Sequence, residues 1–151
     1  MKIVRVLSKF LIVSIFMFLT FTINIKANTI PIAKWNIQLT LEEIELLSRT
    51  VQLEAGGEIK ESKYATTETI LNRISSEKYP NTLQGVLSQK GQFSTWKDIN
   101  SEKAVPSTDT YEAIVHVLMG QTNMVACSIL QFNNQPIGNN SIKIGNQYYG
   151  E

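Results

Sequence analysis

Residues 40–58 read TLEEIELLSRTVQLEAGGE, and the fold is read outward from them. Thr40 and Glu43 form a capping box: the Thr hydroxyl accepts from the Glu43 amide while the Glu43 carboxylate reaches back to Thr40. Leu41, Ile44, Leu47 and Val51 recur at spacings near 3.6, which predicts an amphipathic helix with one apolar stripe. Gly56 and Gly57 supply its C-cap and a turn. Glu54 breaks the pattern. It lies seven residues past Leu47, about 20° short of two helical turns, and so projects along the apolar face. An ionisable group there is costly unless paired or partly wetted. Burial raises a carboxyl pKa because desolvation penalises the charged form. A carboxyl raised in this way suits a general acid near neutral pH. The other reading is a side chain that reaches around the helix end into water. Glu58, four residues on, is placed to share a site with Glu54.

Downstream, a second helix is expected from about Glu61 or Ser62 to Ile74. Its stripe of Ala65, Ile70, Leu71 and Ile74 is interrupted by polar Thr66, Thr67 and Glu68. Tyr79-Pro80-Asn81 closes it, since proline disfavours helical geometry in the residue before it. Thr82–Leu87 reads as a short helix, Gln89–Gly91 as a turn, and Gln92–Trp96 as an aromatic, partly β-compatible segment. Ser107-Thr108-Asp109 caps a third main helix, Tyr111–Met119, stopped by Gly120. Ile129–Phe132 and Gln147–Tyr149 have strand character around a loop rich in Asn, Gly and Pro. Upstream, residues 28–39, with Pro31 and Trp35, read as an extended lead-in. The expected fold class is α+β, helix-dominated, in one domain over residues 40–151.

The chain has 151 residues, enough for one domain with a real core. Residues 1–27 carry four cations (Lys2, Arg5, Lys9, Lys26) and no acid. Phe10–Ile23 is apolar apart from Ser14, Thr20 and Thr22, too short a run to span a bilayer. This is the pattern of a secretory signal peptide, with Ala27 suited to the −1 position of cleavage. An uncleaved N-terminal anchor is the alternative, and it is the only membrane contact expected. Both readings put the rest of the chain outside the cytoplasmic membrane. That remainder holds ten cations against thirteen acids, a net charge of −3. It has neither the basic balance of a nucleic-acid binder nor a patch suited to electrostatic capture of an anionic wall.

Metal and thiol chemistry find little support. The single His116 sits in an ordinary helical setting, and no HExxH, CxxC or EF-hand spacing is present. No metal or cofactor is expected. Cys127 has no intrachain disulfide partner and, within Val125-Ala126-Cys127-Ser128-Ile129, reads as a small buried hydrophobe.

Leu53-Glu54-Ala55-Gly56-Gly57-Glu58 resembles the Glu-Ala-Arg-Gly-Glu signature of the SleB/CwlJ-type cell-wall hydrolases, the spore-cortex-lytic family associated with germination. The resemblance continues in order through Leu71-Asn72-Arg73-Ile74, Tyr79-Pro80-Asn81-Thr82, Gln92-Phe93-Ser94 and Leu130-Gln131-Phe132-Asn133. It covers about Leu41 to Tyr149. It implies a lysozyme-like domain that cleaves peptidoglycan glycan strands, commonly as a lytic transglycosylase with one Glu, here Glu54. Substrate-binding roles then fall to Glu58, Gln92, Phe93, Phe132 and Asn133. Phe93, Trp96 and Phe132 also read as core, and Asn72 and Arg73 either support the Glu54 loop or face solvent. The sequence departs from the family where Gly56 replaces Arg, where Gln147 replaces His, and in the polar run Thr66–Glu68. The implied partners are peptidoglycan strands, with a wall-associated protein as a possible second. A true glycoside hydrolase on the same bond, or a catalytically silent wall-binding or assembly protein, are the alternatives.

Overall fold

The computed structural model describes residues 28–151; the sequence-based signal peptide at 1–27 lies outside the described residues. The chain opens not as a loose lead-in but as an antiparallel hairpin, β1 (Thr29–Ile32) with β2 (Ile37–Thr40). A single 3-10 turn, Ala33–Trp35, joins the two strands, and Asn36 leaves it in the left-handed region with φ 52°. Asn is among the few residues that adopt this conformation without much strain. The hairpin matters because Ile32, Trp35 and Leu39 are buried in the main core.

Helix α1 (Leu41–Ala55) starts at the capping box, with both reciprocal bonds formed at 3.1 and 2.9 Å. Leu47 and Val51 are fully buried, Ile44 packs at the edge of the core, and Leu41 is exposed, so the stripe begins one turn later than expected. Helix α2 (Lys60–Ile74) is the centre of the domain and packs against α1, α3 (Leu83–Leu87), α4 (Thr108–Leu118) and the edge of the sheet. It ends at Ser75, five residues before Pro80.

The residues that interrupt its apolar stripe, Thr66, Thr67 and Glu68, are as buried as their apolar neighbours. Thr67 and Thr69 donate to the carbonyls of Lys63 and Ala65 at 2.7 and 2.8 Å, so their hydroxyls are satisfied within the helix itself. Glu68 accepts from the Thr122 hydroxyl (2.7 Å) and the Val125 amide (2.9 Å), with Lys34 Nζ 3.5 Å away. A helix surrounded on all sides needs partners for its polar groups, and each of these three has one.

After α3, the Gln92–Trp96 segment is not a strand. Ser94–Asp98 forms a 3-10 helix, with Trp96 packed against the core. A second 3-10 turn, Glu102–Ala104, leads into α4, where Ser107 caps the helix. The chain closes in a three-stranded antiparallel sheet ordered β3 (Gln131–Asn133), β5 (Gln147–Gly150), β4 (Ile142–Ile144). The short β4 alternates Ile142-Lys143-Ile144 over only three residues and forms because the Gly145–Asn146 turn folds it back on β5. Gly145 has φ 61°, and a side chain there would run into Ser62 and Glu58. Cys127 is exposed rather than buried, because the Val125–Ile129 loop turns inward at its two ends only. Among the described residues, no helix is long and apolar enough to cross a membrane.

Candidate active site

Glu54 occupies the last turn of α1, and three groups hold that turn in place. Gln52 accepts from the Ser107 amide (3.0 Å) and the Thr110 hydroxyl (2.7 Å), tying the helix end to the start of α4. A Cβ at Gly56 would collide with the Gln52 carbonyl and side-chain amide, so in this arrangement position 56 has no room for an Arg. From the opposite side, Gln147 on β5 donates through Nε2 to the Glu54 carbonyl at 2.9 Å. Its Oε1 lies 3.1 Å from the Thr66 hydroxyl and 2.6 Å from that of Tyr149. Gln147 thus uses one donor and one acceptor to lock a strand to a helix end, which a single amide does without any charge. Burial pushes the Tyr149 hydroxyl up to about 12, so it remains a neutral donor in this network.

The Glu54 side chain faces an open cleft of about 560 Å³. The cleft floor comes from α2 (Arg73) and the following Tyr79, and its walls from the Gly91–Ser94 loop and from Gln131–Asn134 and Gln147. Gly91, with φ 83°, makes the turn that brings Gln92 to the rim. Side-chain amides dominate the lining, a chemistry suited to sugar hydroxyls and N-acetyl groups. Among the described residues that line it, Glu54 is the one carboxylate. Thr95 donates to Glu54 Oε1. Burial raises the Glu54 pKa above the usual carboxylate range, opposed by the Thr95 bond and by the Arg73 cation. A Thr95→Val variant removes one of the two groups that favour the carboxylate. The Glu54 titration midpoint should therefore move further up, read from the side-chain carboxyl carbon by NMR. An unchanged midpoint would contradict the bond.

Of the residues expected to form the site, Glu54, Gln92, Phe132 and Asn133 meet at the cleft, although Asn133 spends its Oδ1 on the Asn134 amide at 2.7 Å. Glu58 does not reach it. Its carboxylate accepts from the Asn146 backbone and side-chain amides at 3.0 and 3.3 Å and braces the β4–β5 turn. Phe93 is buried beneath the cleft rather than lining it, and Trp96 also stays out of it. Asn72 is structural. It accepts from the Trp35 indole at 2.6 Å and donates to the carbonyls of Ala126 and Ile129. Arg73 is the member sequence reasoning left undecided. The run of apolar side chains before it places it at the inner end of α2, and only the later packing of Phe93 and Phe132 shows that it faces the cleft. Among the described residues, no three of His, Cys, Asp or Glu gather closely enough to hold a metal ion.

The fold is thus helix-rich α+β, with a carboxylate at the end of its first long helix facing an open polar cleft. The chain belongs to the cell wall hydrolase family, whose profile matches residues 57–149, beginning just past Glu54. Two solved structures share the fold. One is the catalytic domain of the germination-specific lytic transglycosylase SleB from Bacillus anthracis, at 22% identity and TM-score 0.62, over 75% of this chain and 97% of that one. The other is the catalytic domain of the Bacillus cereus SleB protein, also at 22% identity and TM-score 0.62, over 74% and 91%. Among curated protein sequences none matches.

Proposed function

We infer that this domain cleaves peptidoglycan glycan strands as a lytic transglycosylase, with Glu54 as its single acid and base. The observation that supports this is the lone carboxylate in the cleft. Hydrolases of the two-carboxylate type need a second acidic group across the scissile bond, about 5–9.5 Å away. Transglycosylation does not, because the nucleophile belongs to the sugar. Protonated Glu54 gives its proton to the glycosidic oxygen as the bond from that oxygen to muramoyl C1 breaks. The carboxylate so formed takes the proton of the muramoyl 6-hydroxyl while O6 bonds to C1. Glu54 ends protonated, and the products are a 1,6-anhydromuramoyl end and a free 4-hydroxyl. Action at the cell wall accords with export through residues 1–27 and with the family.

Digestion of purified peptidoglycan, from vegetative wall and from spore cortex, followed by mass analysis of the fragments tests this reading. Anhydromuramoyl ends are expected. Reducing ends would replace transglycosylation with hydrolysis, and bound but intact strands would mark a silent wall-binding domain.

A further inference from the structure

Arg73 is 3% exposed, yet among the described residues no carboxylate stands within 4 Å of it. A buried cation without a counter-ion is costly, and proteins normally pair it. Here the compensation is of another kind. The guanidinium carbon lies 5.2 Å from the ring centres of Tyr79 and Phe93 and 5.5 Å from that of Phe132, within reach of three π faces. Its Nε donates to the Leu130 carbonyl at 2.6 Å. Its Nη1 is buried and has no hydrogen-bond partner. Aromatic faces and one carbonyl steady the position of a cation but do not cancel its charge, and arginine stays protonated in proteins. The charge therefore remains available to the cleft that Arg73 and Glu54 both line.

We propose that Arg73 is a positioning residue for the reaction: its uncancelled charge stabilises the Glu54 carboxylate that exists only after the proton has been given away. This rests on the reading of Glu54 as acid and base. A cation already paired in the resting site would spend its interaction on the ground state. An unpaired one gains most as negative charge develops, which is the differential binding that accelerates a step. The Thr95 hydroxyl also favours the carboxylate, but among the described residues lining the cleft Arg73 is the one cation. Besides Glu54 on α1 and Arg73 on α2, the titratable group at the cleft is Tyr79, between α2 and α3. The Gly91–Ser94 loop, the Gln131–Asn134 segment and β5 contribute neutral side chains, and Thr95 of the 3-10 helix a neutral hydroxyl. The coupling runs both ways, since Arg73 favours the Glu54 carboxylate and Glu54 favours the charged guanidinium.

The test is the pH profile of kcat/KM on purified peptidoglycan for the wild type, Arg73→Met, Arg73→Lys and Glu54→Gln, with folding followed by circular dichroism. Activity is carried by protonated Glu54, so it falls on the alkaline side. Arg73→Met should lower the plateau roughly ten- to a hundredfold and move that alkaline limb upward. A slower enzyme that works to higher pH is not what general damage produces. Arg73→Lys, which keeps the charge, should bring the limb back toward its wild-type place. Should the Met variant fail to fold, Arg73→Gln retains a donor for Leu130 and takes its part. The Glu54 carboxyl carbon, identified by the NMR signal lost in Glu54→Gln, reads the same midpoint without any turnover. An unmoved midpoint in the folded variants, or a Lys variant that behaves like Met, overturns the proposal. A Glu54→Gln protein that cleaves at the wild-type rate overturns instead the acid/base reading beneath it.

Discussion

Replacing Glu54 by Gln is expected to lower kcat/KM for glycan cleavage by roughly 10²–10⁴-fold, the usual contribution of a positioned general acid. The substitution keeps the shape and an acceptor for Thr95 but cannot give up a proton. The same change should make the domain more stable at neutral pH. Glu54 has a raised pKa in the folded state, so the native protein holds a proton more tightly than the unfolded chain. Its stability contribution is complete below the ordinary carboxylate pKa and is lost as pH rises through the raised one. At pH 7 the buried carboxylate is a burden that Gln relieves. Thermal melts between pH 4 and 8 should show the variant above the wild type at the upper end, with the two converging toward the lower. A loss of both activity and stability would point to a structural role for Glu54.

The second large effect belongs to Glu68, far from the cleft chemistry. It is fully buried on the central helix, and its two oxygens serve Thr122, the Val125 amide and Lys34. Those contacts pin the Met119–Ile129 connection and the β1–β2 hairpin to α2. Glu68→Ala leaves a buried amide without an acceptor and a cation without its counter-charge. Lys34 keeps some access to water, which softens the loss, so the expected cost is about 2–4 kcal/mol in urea unfolding. Glu68→Gln retains an acceptor for Val125 and should cost about half as much. An Ala variant within about 1 kcal/mol of the wild type would mean that the connection holds by packing alone.

Much of the architecture was legible because its signals are local. The capping box at Thr40, the apolar spacing from Ile44 through Val51, the Ser107 cap and the strand character of Gln147–Tyr149 act over one to three turns or a few residues, and these appear where expected, Leu41 at the start of the stripe excepted. The hairpin at residues 29–40 was not legible, since its pairing depends on a turn and on what the strands cover, while β4, at three residues, is too short a run of alternation to stand out from the loop around it. Thr66–Glu68 looked like a break in a stripe because sequence periodicity assumes that polar side chains want water. Here the hydroxyls bond to the preceding turn and to β5, and the carboxylate to a loop more than fifty residues away.

The candidate site divides in the same way. Glu54 stood out from sequence alone because a carboxylate on an apolar helical face violates a short-range rule, and the family resemblance fell on the same residue. Glu58 looked placed by spacing to share the site, but the distant β4–β5 turn claims its carboxylate. Gln147, where the sequence departs from the family's His, is an anchor for the Glu54 backbone. Sequence by itself determined the helix-dominated class and the one carboxylate worth testing, since periodicity and capping are properties of neighbouring residues. Only the tertiary structure decided that Arg73 lies buried in the same cleft as that carboxylate, with no ion pair among the described residues. Its aromatic cage is assembled from residues 79, 93 and 132, and burial and charge coupling depend on such distances through space, not along the chain.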